Sequence, residues 1–117
     1  MHNFCKLRDL YRIIQELENS IEEAHGLSVN ECMTLCRINL GYCSAGELCD
    51  TLMQSKSRMS KILAGLEKKN FIERSFDKID KRKIQFVLTS KGIEKSREVE
   101  NSPVIIPDME IKLNGYS

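Results

Sequence analysis

This chain of 117 residues predicts a mainly α-helical fold with a small β-wing, a winged helix-turn-helix. Three observations carry the prediction. Short segments that open on serine caps follow one another with brief links. One of them, residues 56–69, has a full apolar stripe on one side and serines and lysines on the other. Behind it, two alternating stretches flank a charged tip, and a threonine then caps a last helix.

Length places the chain in a single domain with a core of modest size. No apolar run approaches the roughly 18 residues that a membrane span needs. The start, MHNFCKLRDLYRII, lacks the layout of a signal peptide, so the cytoplasm is the expected location and no membrane contact is expected. The net charge of +1 is unevenly spread. Residues 54–91 hold eleven Lys or Arg against four Asp or Glu, while residues 1–53 hold four against eight. A basic middle between acidic flanks fits a polyanion-binding face, and it also fits a solvated lysine-rich surface.

The first helix is expected over residues 3–25. Phe4, Leu7, Tyr11, Ile14, Leu17, Ile21 and Ala24 recur every three or four residues, close to a heptad seam, and Gly26 ends the run. A helix of this length packs on its own domain or on a second copy. Ser28 and Glu31 make a capping-box pattern. Cys32, Leu35, Cys36 and Leu40 form the apolar face behind it, closed by Gly41. Ser44 and Glu47 repeat the box, with Leu48 and Leu52 inside a short helix that ends near Met53. Ser55 is the third cap. Close succession of short helices is what a helix-turn-helix core requires.

On the helix of residues 56–69, Met59, Ile62, Leu63 and Leu66 stand at i, i+3, i+4 and i+7. The opposite face carries Ser57, Ser60, Lys61, Ala64 and Lys68. Small side chains let a helix approach a groove wall, and Ser and Lys bond phosphates or base edges. The alternative is an ordinary solvated face. Asn70 follows, where left-handed backbone is often needed. Residues 72–76 and 84–88 alternate as strands. Between them Asp77 to Lys83 carries four cations and two carboxylates, a wing whose basic side chains suit the minor groove. Thr89 caps a final helix whose apolar anchors are few, Ile93 and Val99, and which should fail near Asn101-Ser102-Pro103. The expected organisation is thus a domain over residues 1–101 and a tail, 102–117, that is a strand, an arm on a partner, or without fixed structure.

Residues 48–92 resemble the MarR (multiple antibiotic resistance regulator) family of bacterial transcription factors. GELCDTL matches the helix before the turn, SKSRMSKILAGLEKKNFIERS the recognition helix and first strand, DKIDKRK the wing, and VLTSKG the second strand and next cap. The resemblance implies double-stranded DNA as partner, a homodimer reading a pseudo-palindromic site, and a small-molecule or redox effector. By position, Ser55, Lys56, Ser57, Arg58, Ser60 and Lys61 fall where the family touches the major groove and its phosphates. Within Asp80-Lys81-Arg82, Arg82 falls on the minor-groove arginine and Asp80 braces it. Two departures stand out: Asn70 replaces the usual glycine, and the segment after the wing is short and weakly apolar. Dimerisation then falls to residues 3–25 with the tail, or the chain is a shortened relative without an effector response.

Other chemistry is tempting. Cys32 and Cys36 share a helix face and with His25 or Cys43 suggest a metal site, but their neighbours read as core. Cys5 and then Cys43 are the candidate redox thiols; five inert thiols are the favoured reading. No nucleophile elbow, phosphate loop or metal-hydrolase motif is present, and Asp77 and Asp80 sit among cations that pair with them more simply. No catalysis and no cofactor are expected. Two functions remain: a sequence-specific DNA-binding regulator, most simply a repressor, and a protein-interaction adaptor with incidental basic charge.

Overall fold

A computed structural model describes residues 2–76, 78–80 and 82–102. Five helices and one hairpin follow in the order α1 (His2–His25), α2 (Val29–Asn39), α3 (Ala45–Leu52), α4 (Lys56–Lys68), β1 (Ile72–Phe76), β2 (Ile84–Leu88) and α5 (Ser90–Asn101). This is the expected winged helix-turn-helix. Lys81, Asp77 and residues 103–117, which include most of the expected tail, lie outside the described residues.

Local chemistry sets most boundaries. Ser28 Oγ accepts from the Glu31 N–H at 3.1 Å while Glu31 Oε1 accepts from the Ser28 N–H at 3.0 Å. Ser44 and Glu47 repeat the exchange at the start of α3. Such a box satisfies two helix-end N–H groups at once. Met53 closes α3 in left-handed backbone, φ 53°, and Asn70 does the same after α4, φ 64°. Beyond Asn70, Phe71 donates its N–H to the Leu66 carbonyl at 3.0 Å and turns its ring into the core.

Leu27, Leu35, Leu48, Met59 and Leu66 are almost wholly buried, and the hairpin closes the core with Ile72 and Phe86. The strands are antiparallel, with Ile72 opposite Leu88, Arg74 opposite Phe86 and Phe76 opposite Ile84. Phe86 also donates its N–H to the Cys43 carbonyl at 2.8 Å, which ties β2 to the link between α2 and α3.

Two expectations about packing are corrected. Leu40 does not extend the apolar face of α2: it is the C-cap, 66 % exposed, and Ile38 is buried in its stead. Ile93 does not anchor α5 but is 41 % exposed. α5 docks through Val99, as expected, and also through Gly92 and Ser96. At Gly92 a Cβ would overlap the Phe71 carbonyl oxygen, so only glycine allows this approach. The same carbonyl accepts from the Thr89 N–H at 3.1 Å, and Thr89 Oγ1 donates to Asn70 O at 2.7 Å. The spacing Thr89 to Gly92 is therefore a docking device between α5 and the end of α4.

Candidate functional site

The helix α4 is held by its neighbours on three sides. Its buried stripe is Met59, Ile62, Leu63 and Leu66. At its C-terminal end Lys69 Nζ donates to both Glu31 carboxylate oxygens, at 2.9 and 3.1 Å, and to Gly26 O at 3.3 Å. Glu31 is only 9 % exposed, and it still accepts the Ser28 cap bond. Gly65 lets this carboxylate sit close, since a Cβ there would lie 2.9 Å from Glu31 Oε2. Toward the wing, Arg74 Nε donates to both Glu67 oxygens at 3.1 and 3.2 Å, and its guanidinium lies 5.7 Å from the Phe86 ring centre. These contacts fix the angle of α4 to α2 and to the hairpin.

What α4 presents outward is the set singled out in the sequence. Lys56, Ser57, Arg58, Ser60 and Lys61 are all exposed, as are Ala64 and Lys68. At about 100° per residue, Ser57, Lys61, Ala64 and Lys68 form the centre of the outward face. Arg58 stands about a quarter turn to one side, and Lys56 and Ser60 lie on the other. Ser55 has a different part: its Oγ accepts from the Arg58 N–H at 3.2 Å and caps the helix.

Lys56 and Ser60 face the wing. With Ala45, Gly46, Arg74 and Ile84 they line a cavity of about 320 Å³ between the start of α3, the first turns of α4 and the hairpin. At the tip, Arg82 is bound to Asp80 twice, through its N–H at 3.1 Å and Nε at 3.2 Å, both to Oδ1. The Arg82 side chain is 92 % exposed. Lys78 and Lys83 beside it are exposed as well. The arrangement is a cationic helix face with a cationic fingertip carried on the adjoining hairpin. It offers donors and positive charge to a polyanion.

Sequence reading missed Arg74 and Lys91. Arg74 looks like one more wing cation, yet its partner is Glu67, seven residues away on another element. Lys91 Nζ donates to Lys69 O at 3.2 Å and lies 4.9 Å from the Phe71 ring centre. Neither pairing has a local signal; both follow only from where the turn at Asn70 sends the chain.

A second feature lies away from α4. Leu17, Ile21, His25, Met33, Cys36 and Leu40 line much of an apolar groove of about 490 Å³ between α1, α2 and α5. Burial pushes the Cys32 thiol up to about 11, with Cys36 and Glu31 adding to the effect. Burial also raises Cys36, helped by Glu100 and opposed by the Ser96 hydroxyl. Cys5 is exposed and Cys43 partly so. Among the described residues no three His, Cys, Asp or Glu side chains are grouped to hold a metal ion, so Cys32 and Cys36 gain no third ligand from His25 or Cys43. No helix among the described residues is long and apolar enough to cross a membrane.

Several solved structures share this architecture. A mutant of MepR from S. aureus bound to an oligodeoxyribonucleotide has a TM-score of 0.66 at 18% identity, covering 86% of this chain and 74% of that one. The transcriptional regulator BldR from Sulfolobus solfataricus has a TM-score of 0.72 at 22% identity, covering 85% and 72%. A cysteine-to-serine mutant of MarR from E. coli, complexed with operator DNA, has a TM-score of 0.68 at 22% identity, covering 80% and 69%. No curated protein matches the chain by sequence. A family model described as the MarR family matches residues 25–83, half of the chain's length. With that match laid over α2 to the wing, the chain belongs to the MarR family.

Proposed function

We propose that the chain is a sequence-specific DNA-binding transcriptional regulator, a repressor that reads a pseudo-palindromic operator as a homodimer. The observation that carries the reading is the outward face of α4, where Ser57, Arg58, Ser60 and Lys61 stand exposed with Lys56 turned to the basic wing. Two structures of the same fold, the MepR and MarR mutants, are complexes with DNA, which supports placing a duplex against that face.

On this reading, Lys56, Lys61 and the wing cations Lys78, Lys81, Arg82 and Lys83 neutralise phosphates and release counterions, so affinity falls steeply with salt. Ser57, Arg58 and Lys61 reach base edges in the major groove. Arg82 enters the minor groove with Asp80 orienting it. Ser55 and Ser60 act at the flanking backbone, Ser55 chiefly by forming the cap. Two copies place two such helices on half-sites about one helical turn apart. A dimer seated over a promoter represses by exclusion alone. An effector, if one acts, is an apolar small molecule in the groove between α1, α2 and α5 or an oxidant at Cys5.

The test is selection of bound duplexes from a random pool, followed by titration of the selected duplex against salt. The expected result is a two-fold symmetric motif, bound with a steep salt slope and far more tightly than random DNA. Arg58→Ala should then relax preference at one position per half-site by about 1–3 kcal/mol, while Arg82→Ala weakens binding with little change of preference. Weak, sequence-blind binding would overturn the reading in favour of an interaction adaptor.

A further inference from the structure

The wing carries an apolar row that leaves the core and runs on toward the tip. Ile72, Arg74 and Phe76 share one face of the hairpin with their cross-strand partners Leu88, Phe86 and Ile84. Exposure climbs outward along that face. Ile72 is 2 % exposed and Phe86 5 %, then Ile84 38 % and Phe76 59 %. Beyond the last strand pair stands Ile79, 97 % exposed. A hairpin that met only water would turn polar once it left the core, because an exposed apolar edge invites aggregation. The opposite face is mostly polar, with Glu73, Ser75 and Gln85 beside Val87. Isolated exposed apolar side chains need no explanation, but Ile84, Phe76 and Ile79 in succession at the end of one hairpin do.

The surroundings of the row specify its occupant. Lys78 precedes Ile79, and Arg82 and Lys83 follow it, all exposed. Arg82 is held by Asp80. Ile84 also borders the cavity lined by Lys56 and Ser60, so the apolar face of the wing looks toward α4. The row is only two strands wide, about 5 Å, and it ends on one side chain. A stable protein interface needs a far broader patch. The minor groove of B-DNA is about 6 Å wide, with deoxyribose walls between two ridges of phosphate. It accepts a narrow apolar point that has cations on either side.

We propose that Ile79 enters the minor groove as a wedge, partly unstacks one base step beside each half-site and bends the duplex there. Phe76 and Ile84 lie against the sugars, and Lys78, Arg82 and Lys83 meet the phosphates and the groove mouth. Apolar wedges of this kind kink DNA by about 20° or more. The cost of unstacking depends on the step and is lowest at TA and CA/TG. The wing thus reads sequence through deformability, at a step to which no side chain has to bond. Arg82 answers to the charge and width of the groove, whereas Ile79 adds a preference for a step that yields. The inference rests on the proposed DNA-binding reading and adds to it a specificity-determining residue outside α4.

The probe is the duplex selected from the random pool, with 2-aminopurine at the step flanking a half-site and a donor and an acceptor dye at its ends. With the unmodified chain, binding should raise the 2-aminopurine fluorescence and shorten the end-to-end distance. A duplex with TA at that step should bind about tenfold more tightly than one with AA. Ile79→Ala should abolish both signals and bring the two duplexes within about twofold, and Ile79→Met, which also supplies a wedge, should restore them. Ile79 is exposed, so these variants keep the fold, which circular dichroism checks. Ile79→Lys separates a wedge from a phosphate contact: it should lose the bend and the step preference although it adds a cation. An unbent duplex, an Ile79→Ala variant that bends and selects like the parent, or an Ile79→Lys variant that simply binds more tightly would overturn the inference and leave the operator reading standing. Ile79-dependent binding to anionic vesicles, with DNA bending unaffected by the variants, would overturn it as well. A chain that binds DNA without regard to sequence would overturn the operator reading and the step preference together.

Discussion

Between Leu27 and Val99 the chain builds a core covered by its own elements, with Leu35, Leu48 and Leu66 at 0 % exposure, although Leu40, Met53, Phe76 and Ile79 stay outside it. On α1 the same periodicity leaves Phe4 and Tyr11 mostly in solvent. The two regions read alike as amphipathic helix, and the difference lies in what each face meets. Heptad or 3.6-residue spacing says which side of a helix is apolar. It does not say whether the cover comes from the same chain. In the module from α2 to α5 the close approaches at Gly65 and Gly92 leave no room for a methyl group, while α1 keeps Phe4, Leu7, Tyr11 and Ile14 exposed.

The largest expected effect lies at the tightest point of the module. Gly92→Ala places a methyl group on the Phe71 carbonyl oxygen, which is backbone and cannot swing aside. α5 must lift from the turn after α4, with loss of the Thr89 bonds to Asn70 and Phe71. A cost of about 3 kcal/mol or more is expected, read as a fall in urea midpoint. A variant as stable as the parent would show that α5 docks more loosely than the contact implies.

Next comes Glu31→Ala, which removes one carboxylate serving two ends. The Ser28 N–H loses its acceptor and Lys69 loses its ion pair, leaving Lys69 with Gly26 O. The expected cost is about 2 kcal/mol, since a part-buried charged acceptor is lost together with half of a capping box. Because the pair ties α2 to the end of α4, specific DNA affinity should fall alongside stability. Loss of affinity with unchanged stability would mean that Glu31 acts on DNA more directly than the geometry allows.

The buried thiols give a pH dependence confined to the module. Cys32 keeps its proton in the folded chain up to about 11, while an ordinary thiol releases it near 9.0. The raised value means that the unfolded chain gains by ionising first. Stability is therefore level below pH 9 and declines as the pH rises through the interval to about 11, by up to ~2 kcal/mol. Denaturant midpoints at pH 8 and pH 10.5 check this, with Cys32→Ala expected to flatten most of the decline. An equal decline in the alanine variant would assign the effect elsewhere.

How much of this was legible in the sequence depends on how far apart the interacting residues stand. The caps at Ser28, Ser44, Ser55 and Thr89, and the left-handed turn at Asn70, involve neighbours within four residues and were readable from residue type. So was the outward face of α4, because the two-residue step from Met59 to Lys61 turns about 200° around the helix and puts them on opposite faces. Asp80 and Arg82 are two residues apart, and their pairing was named from the family resemblance. The contacts that aim α4 were not readable: Lys69 with Glu31 spans 38 residues and Phe86 with Cys43 spans the hairpin and both central helices. Leu40 was misplaced because a leucine at the end of an apolar run continues the pattern, while the helix itself ends one residue earlier and turns away at Gly41, φ 107°.

The smallest effect separates the two regions most cleanly. Phe4→Ala removes a large apolar side chain, yet at 77 % exposure it covers little of its own domain. In dilute solution its cost should stay within ~0.5 kcal/mol. The comparison with the buried phenylalanines is then direct, since Phe71→Ala or Phe86→Ala opens a core cavity at any concentration. If α1 is an association surface, the cost of Phe4→Ala must grow as the protein is concentrated, because a dimer stabilises the folded chain by mass action and the variant forfeits part of that. Thermal melts of both chains across a hundredfold range of concentration read the effect as a widening gap in Tm. A gap that is large and constant would place Phe4 in a core of its own domain; a gap that is absent throughout would leave the stripe on α1 without an occupant.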